Sequence, residues 1–135
     1  MEFNARLDAD HLAVLNVLPP DLLDLSDINV TREGLAVLRE AMSTPQIPDS
    51  ISLQDHYTDS ADGHRVMIRT YPPASNRANT PALYWIHGGG MVLGEVDMND
   101  EWCADISSTL DVVVASVEYR LAPEFPYPVP MDDCY

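Results

Sequence analysis

The stretch of this sequence with the most chemical potential is a histidine followed by three glycines. His87, Gly88, Gly89 and Gly90 come directly after five apolar residues, Ala82 to Ile86, which predict a strand buried on both faces. Glycines adopt positive φ angles without steric cost, so successive backbone N–H groups can point at one ligand atom. We expect an anion or oxyanion site here. The alternative is a flexible turn between a strand and a helix.

Phosphate binding is the first alternative function for such a loop, and the surrounding residues disfavour it. The glycines do not follow the G-x-G-x-x-G spacing of dinucleotide-binding loops. The step from Gly89 to Gly94 imitates a P-loop, but Glu95 and Val96 stand where that loop needs Lys and Ser or Thr. A histidine followed by three glycines after a buried strand is instead typical of the oxyanion loop of lipases and esterases.

The elements around the loop predict an α/β domain. Ile51 to Thr58 and His64 to Tyr71 alternate in polarity around an Asp-Gly turn, which predicts an antiparallel hairpin. After the glycines, apolar residues at four-residue spacing predict a helix over Glu101 to Leu110, and Val112 to Val117 predicts a second buried strand. Strand, loop, helix and strand make a βαβ unit with two parallel strands. Met131 to Tyr135 predicts the first turn of another helix.

The first third of the chain predicts helices without a chemical motif. We expect a first helix that ends at Pro19-Pro20 and a second helix that Thr31 caps. Residues 1–44 are therefore predicted as a helical segment that is separate from residues 45–135.

Composition excludes several classes of partner. The formal net charge is −15, with 22 acidic residues against 7 basic ones, so we expect no nucleic-acid partner. Cys103 and Cys134 are far apart in sequence and lie in no Cys/His cluster, so we expect no metal and no cofactor. No apolar run approaches the roughly 18 residues of a membrane span, and the N-terminus lacks signal-peptide features. We expect a cytoplasmic protein with no membrane partner.

Two segments together resemble the hormone-sensitive-lipase-like esterases of the α/β-hydrolase fold. They are His87-Gly-Gly-Gly-Met-Val-Leu-Gly94 and Val117-Glu-Tyr-Arg-Leu-Ala-Pro-Glu-Phe-Pro-Tyr-Pro128. The resemblance implies that residues 1–44 are a helical cap and that residues 45–135 are the N-terminal part of the catalytic domain. The order of elements in that family, cap helices, hairpin and then βαβ unit, is the order that the residues predict here.

The resemblance also implies a role for each residue of the loop. The N–H groups of Gly89 and Gly90 are expected to bind the carbonyl oxygen of a small acyl-ester substrate, while Gly88 shapes the turn. His87 is expected to hold the loop by hydrogen bonds and not to act as general base. Outside the loop, Tyr119, Arg120 and Glu124 look structural, and Arg120 is expected to pair with Glu118 or Glu124.

The catalytic machinery of that family is absent from these 135 residues. None of the nine serines stands in a G-x-S-x-G nucleophile elbow, and no motif supplies the acid or the base. We expect a carboxylic-ester hydrolase in its N-terminal part, inactive as this chain alone and of open oligomeric state. The alternative is a non-catalytic remnant or binding module with an apolar pocket under Leu12, Leu35 and Met91.

Overall fold

The computed structural model describes residues 7–16, 24–41, 44–75 and 77–135. The chain divides into two compact units, Met1–Ser43 and Thr44–Tyr135. No helix among the described residues is long and apolar enough to cross a membrane.

The first unit contains helix α1, Ala9–Leu15, and helix α2, Ile28–Ala41. The predicted stop at Pro19-Pro20 falls in residues 17–23, outside the described residues. The predicted cap by Thr31 is wrong, because Thr31 lies inside α2. The Asp27 carboxylate caps the helix by accepting the N–H groups of Asn29 and Val30 at 3.1 and 3.2 Å. The buried Thr31 hydroxyl instead lies 2.5 Å from the Asp24 carbonyl oxygen, to which it donates.

The second unit is a mixed four-stranded sheet with one helix between its parallel strands. The elements are β1 Gln54–Asp59, β2 Arg65–Tyr71, β3 Ala82–Ile86, a 3₁₀ turn Val96–Asn99, α3 Asp100–Leu110, β4 Val113–Glu118 and α4 Val129–Asp133. The strand order is β1-β2-β4-β3. β1 and β4 each pair antiparallel with β2, whereas β3 pairs parallel with β4. The predicted hairpin, βαβ unit and last helix are therefore confirmed, with ends shifted by a few residues.

Strand β3 differs from its prediction, because it is not buried on both faces. It is the last strand in the sheet order, and its residues alternate between exposed and half-buried. Leu83 and Trp85 pack towards α3, whereas 46% of Tyr84 and 42% of Ile86 are exposed on the other face. A continuous apolar run predicts a strand with neighbours on both sides and layers on both faces. Among the described residues β3 has a neighbour only on the β4 side, and its Tyr84 face is covered only in part.

Each face of the sheet has its own small core. Tyr71 and Val114 pack with Cys103 and Ala104 of α3 on one face. Val66, Val117 and Tyr119 form the core of the other face, against the end of the chain. Residues of β4 alternate between these cores, which fixes its register and places the ends of β3 and β4 side by side.

Candidate oxyanion loop

The glycine loop leaves the C-terminal end of β3 as a tight turn. Gly89, Gly90 and Met91 all have positive φ angles, of 125°, 62° and 63°. The Gly89 carbonyl oxygen accepts the N–H groups of Val92 and Leu93 at 3.1 and 3.0 Å. These two bonds close the turn.

The three glycines differ in why glycine is needed. A Cβ at Gly89 would lie 2.0 Å from the Leu93 carbonyl oxygen, and at φ 125° a side chain is strained in any case. Gly90 has open space where a Cβ would stand, and it needs glycine only for its φ of 62°. Gly88 has neither a positive φ nor a neighbour within 4 Å of such a Cβ. The backbone therefore requires glycine at 89 most strongly.

The amides of Gly89 and Gly90 are available as hydrogen-bond donors. Neither N–H group donates to another group in the part of the chain that the structure describes. Both residues are exposed, so a ligand can reach them. Two adjacent N–H groups without a partner, at the carboxyl end of a strand, are donors of the kind that oxyanion holes use.

His87 is held in place by Tyr119, the first residue after β4. Only 3% of His87 is exposed, and its ring stacks on the Tyr119 ring with centroids 4.1 Å apart. The Tyr119 hydroxyl donates to the His87 carbonyl oxygen at 2.8 Å and lies 3.1 Å from His87 Nδ1. The same Nδ1 lies 2.9 Å from the Gly88 carbonyl oxygen. Burial raises the pKa of Tyr119 to about 12, so the hydroxyl keeps its proton at neutral pH.

Gly94 closes the loop against His87, a role that the sequence did not reveal. A Cβ at Gly94 would lie 2.5 Å from His87 Nδ1 and 2.6 Å from the Gly88 carbonyl oxygen, and φ is 101°. The only sequence signal for this contact is a glycine at the end of a short apolar run. Its cause, the approach of a histidine ring seven residues earlier, requires the three-dimensional fold.

Two further hydrogen bonds join the glycine loop and the 3₁₀ turn after it to the end of β4 and the segment that follows. The Ala122 N–H donates to the Met91 carbonyl oxygen at 2.8 Å. The Glu118 carboxylate accepts the Val96 N–H at 2.5 Å, at the start of the 3₁₀ turn. Burial raises the pKa of Glu118, while this N–H acts in the opposite direction. The two segments that carry the family resemblance are thus one contiguous structure.

Arg120 does not make the ion pair expected with Glu118 or Glu124. Its guanidinium binds Asp133 of α4 at 2.7 Å and Asp62 of the hairpin turn at 2.8 Å. Glu118 is already engaged by the Val96 N–H, and no sequence pattern indicates that α4 folds back beside Arg120. Burial alone would raise the pKa of Asp133, but hydrogen bonds from Arg120 lower it to about 2.

Other candidate sites are limited in the described part of the chain. No group of three or more His, Cys, Asp or Glu residues there is placed to hold a metal ion. A groove of about 480 Å³ opens on the sheet face beside α4. Its walls include Val66, Ile68, Tyr84 and Cys134, together with the acidic residue Asp132. It is separate from the glycine loop, none of whose residues lines it.

The family comparison matches the part of the chain that contains this loop. A protein family described as having the α/β hydrolase fold matches residues 83–135. Carboxylic ester hydrolase LipN of Mycobacterium tuberculosis is 37% identical over 109 residues, which cover 81% of this chain and 28% of LipN. Esterase LipI of the same organism is 33% identical over 131 residues, which cover 96% of this chain and 39% of LipI. Ethyl acetate hydrolase of Pseudomonas putida is 40% identical over 88 residues, covering 64% of this chain and 27% of that enzyme.

The structural comparison agrees. A bacterial heroin esterase superposes with a TM-score of 0.88 and 36% identity over 99% of this chain and 42% of the esterase. The molecule is part of an α/β-hydrolase fold. The relatives named above are ester hydrolases, which confirms the resemblance to hormone-sensitive-lipase-like esterases. The chain spans well under half the length of the relatives it matches.

Proposed function

We propose that this chain carries the oxyanion-binding part of a hormone-sensitive-lipase-like carboxylic-ester hydrolase. The observation that carries the proposal is the pair of unbonded N–H groups at Gly89 and Gly90, on a turn fixed to the end of β3. The names of the relatives support ester hydrolysis as the reaction. Ethyl acetate hydrolase among them supports a small acyl ester as the substrate.

In the proposed reaction these amides stabilise charge that another residue creates. A serine hydroxyl adds to the ester carbonyl carbon while a general base takes its proton, and the carbonyl oxygen becomes an oxyanion. The Gly89 and Gly90 N–H groups donate to that oxygen. His87 holds the loop in place and does not take the serine proton. The alcohol then leaves with a proton, and water releases the acid from the acyl-serine.

The chain supplies the donors without the nucleophile elbow, so we propose that the 135 residues alone have no serine-dependent turnover. The test compares this chain with the product of the complete open reading frame that encodes it. Both are treated with a fluorophosphonate probe and assayed with p-nitrophenyl acetate. We expect labelling and hydrolysis only in a product that contains a G-x-S-x-G serine. Stoichiometric labelling of the 135-residue chain would contradict the proposal.

A second candidate function is apolar-ligand binding without turnover. The groove beside α4 favours it, because apolar side chains of Val66, Ile68 and Tyr84 line it. The pocket expected under Leu12, Leu35 and Met91 remains a prediction, as does a cytoplasmic location. Titration with a fluorescent fatty acid tests this function: saturable binding that Ile68→Lys abolishes supports it, and no saturable binding rejects it.

A further inference from the structure

Tyr119, which belongs to the second segment of the resemblance, contacts the start of the glycine loop directly. We propose that Tyr119 is a positioning residue, whose hydroxyl fixes the ring and carbonyl of His87 and thereby the direction of the Gly89 and Gly90 donors. The proposal rests on the proposed function only in naming the loop an oxyanion loop. The contacts between Tyr119 and His87 can be tested without measuring ester hydrolysis.

The hydrogen-bond directions follow from the chemistry of the partners. The Tyr119 hydroxyl has one proton, and the His87 carbonyl oxygen at 2.8 Å can only accept it. Towards His87 Nδ1, 3.1 Å away, the phenol oxygen is therefore the acceptor. The Gly88 carbonyl oxygen, 2.9 Å from Nδ1, is likewise an acceptor only. Both contacts require the proton to be on Nδ1, so they select the Nδ1–H tautomer of the neutral ring.

This arrangement holds the loop at both of its ends. The His87 carbonyl precedes the Gly88 amide directly, so the bond from Tyr119 fixes the plane of the peptide that enters the loop. The His87 ring fills the space against Gly94, where the loop ends. Because Tyr119 follows β4, whose Ile86–Val117 pairing brings it beside the end of β3, its position depends on the sheet and not on the loop. A rigid element thus supports a turn that needs three successive positive φ angles.

The test removes the hydroxyl and keeps the ring. Tyr119→Phe retains the stacking on His87, and the matched control Tyr71→Phe removes another buried hydroxyl, which donates to Asp100 at 2.6 Å. The reporters are the Val92 and Leu93 amides, which close the turn on the Gly89 carbonyl. Their hydrogen exchange is followed in the 135-residue chain at low micromolar concentration, by mass spectrometry with electron-transfer fragmentation.

We expect Tyr119→Phe to accelerate exchange at these two amides about 2- to 12-fold, the effect of losing one ordinary hydrogen bond. Tyr71→Phe should accelerate exchange in β2 and α3 without this local excess. Unchanged exchange in Tyr119→Phe, or an equal rise at the turn in both variants, would overturn the proposal.

A second measurement needs no variant. Long-range ¹H–¹⁵N correlation of the wild-type imidazole should show His87 as the Nδ1–H tautomer. A dominant Nε2–H tautomer would contradict the hydrogen-bond directions. Neither readout involves ester turnover, so their failure would reject the positioning role and leave the proposed hydrolysis to its own test.

Discussion

Replacing each glycine of the loop by alanine in turn should produce very unequal losses of stability. At Gly89 the new Cβ would lie 2.0 Å from a backbone oxygen at φ 125°, so the turn must open. Forcing a side chain into such a conformation costs about 1 to 3 kcal/mol. Losing the Val92 and Leu93 hydrogen bonds to the Gly89 carbonyl costs roughly 0.5 to 1.5 kcal/mol each. We expect Gly89→Ala to lower the free energy of unfolding by about 2 to 6 kcal/mol.

The neighbouring glycines provide matched controls. Gly90→Ala meets no atom within 4 Å and only has to adopt φ 62°, which costs about 1 to 2 kcal/mol for a residue with a side chain. Gly88→Ala meets no atom and has no positive φ, so the unfolding free energy should stay the same or rise by up to about 1 kcal/mol.

The assay is urea unfolding followed by far-ultraviolet circular dichroism, on all three variants and the wild type. The predicted order of stability is Gly88→Ala first, then Gly90→Ala, then Gly89→Ala. A Gly88→Ala variant as unstable as Gly89→Ala, or a neutral Gly89→Ala, would refute the reasoning about the turn.

Three further predictions concern the surroundings of the loop. Gly94→Ala should displace the ring of His87, because its Cβ would lie 2.5 Å from Nδ1; a changed His87 imidazole signal in NMR checks this, and an unchanged one contradicts it. The pKa of Asp133 is about 2 in the folded chain, against about 3.8 for the unfolded chain. Its pairing with Arg120 therefore contributes its full stabilisation at pH values above about 3.8. That stability, about 2 kcal/mol, should be lost as the pH falls through about 2, and Asp133→Asn should flatten this part of the urea-midpoint profile. An equally steep profile in the variant would contradict the pairing. We expect the chain to self-associate through β3, an edge strand with exposed apolar side chains, and Tyr84→Lys should reduce this association in sedimentation velocity because it adds a charge there; a monomeric wild type or an unchanged association would contradict this.

Most of the fold could be predicted from local patterns in the sequence. The alternation in the hairpin and the apolar runs on both sides of the helix predicted β1 to β4 and their connections, because each of these signals depends on neighbours in sequence. The apolar run alone could not predict the exposure of β3, for the converse reason. An apolar run shows what a strand is suited to pack against, whereas exposure depends on which layers are present, and the face with Tyr84 and Ile86 is covered only in part among the described residues.

The site shows the same division between local and distant causes. The glycine run could be recognised from sequence because tolerance of positive φ is a property of glycine itself, whereas the stronger requirement at Gly89 appears only in the structure. The partners of Arg120 could not, since Asp62 is 58 positions away and the sequence offered nearer acids. The contact of Tyr119 with His87 spans 32 positions and depends on the parallel pairing of β3 with β4. The helix cap was misassigned to Thr31 because two polar residues compete locally and Asp27 has the better position.

The most direct test of the central claim deletes one donor without changing any side chain. In a product of the complete reading frame that contains a G-x-S-x-G serine, glycolic acid is incorporated at position 90, which replaces the Gly90 amide by an ester and removes its N–H. The control is the same exchange at Gly63, whose N–H serves the hairpin turn. If Gly90 donates to the oxyanion, kcat for p-nitrophenyl acetate should fall about 10²- to 10³-fold with little change in KM, while the Gly63 exchange leaves kcat intact. An undiminished kcat after the Gly90 exchange would contradict the claim that this loop binds the oxyanion.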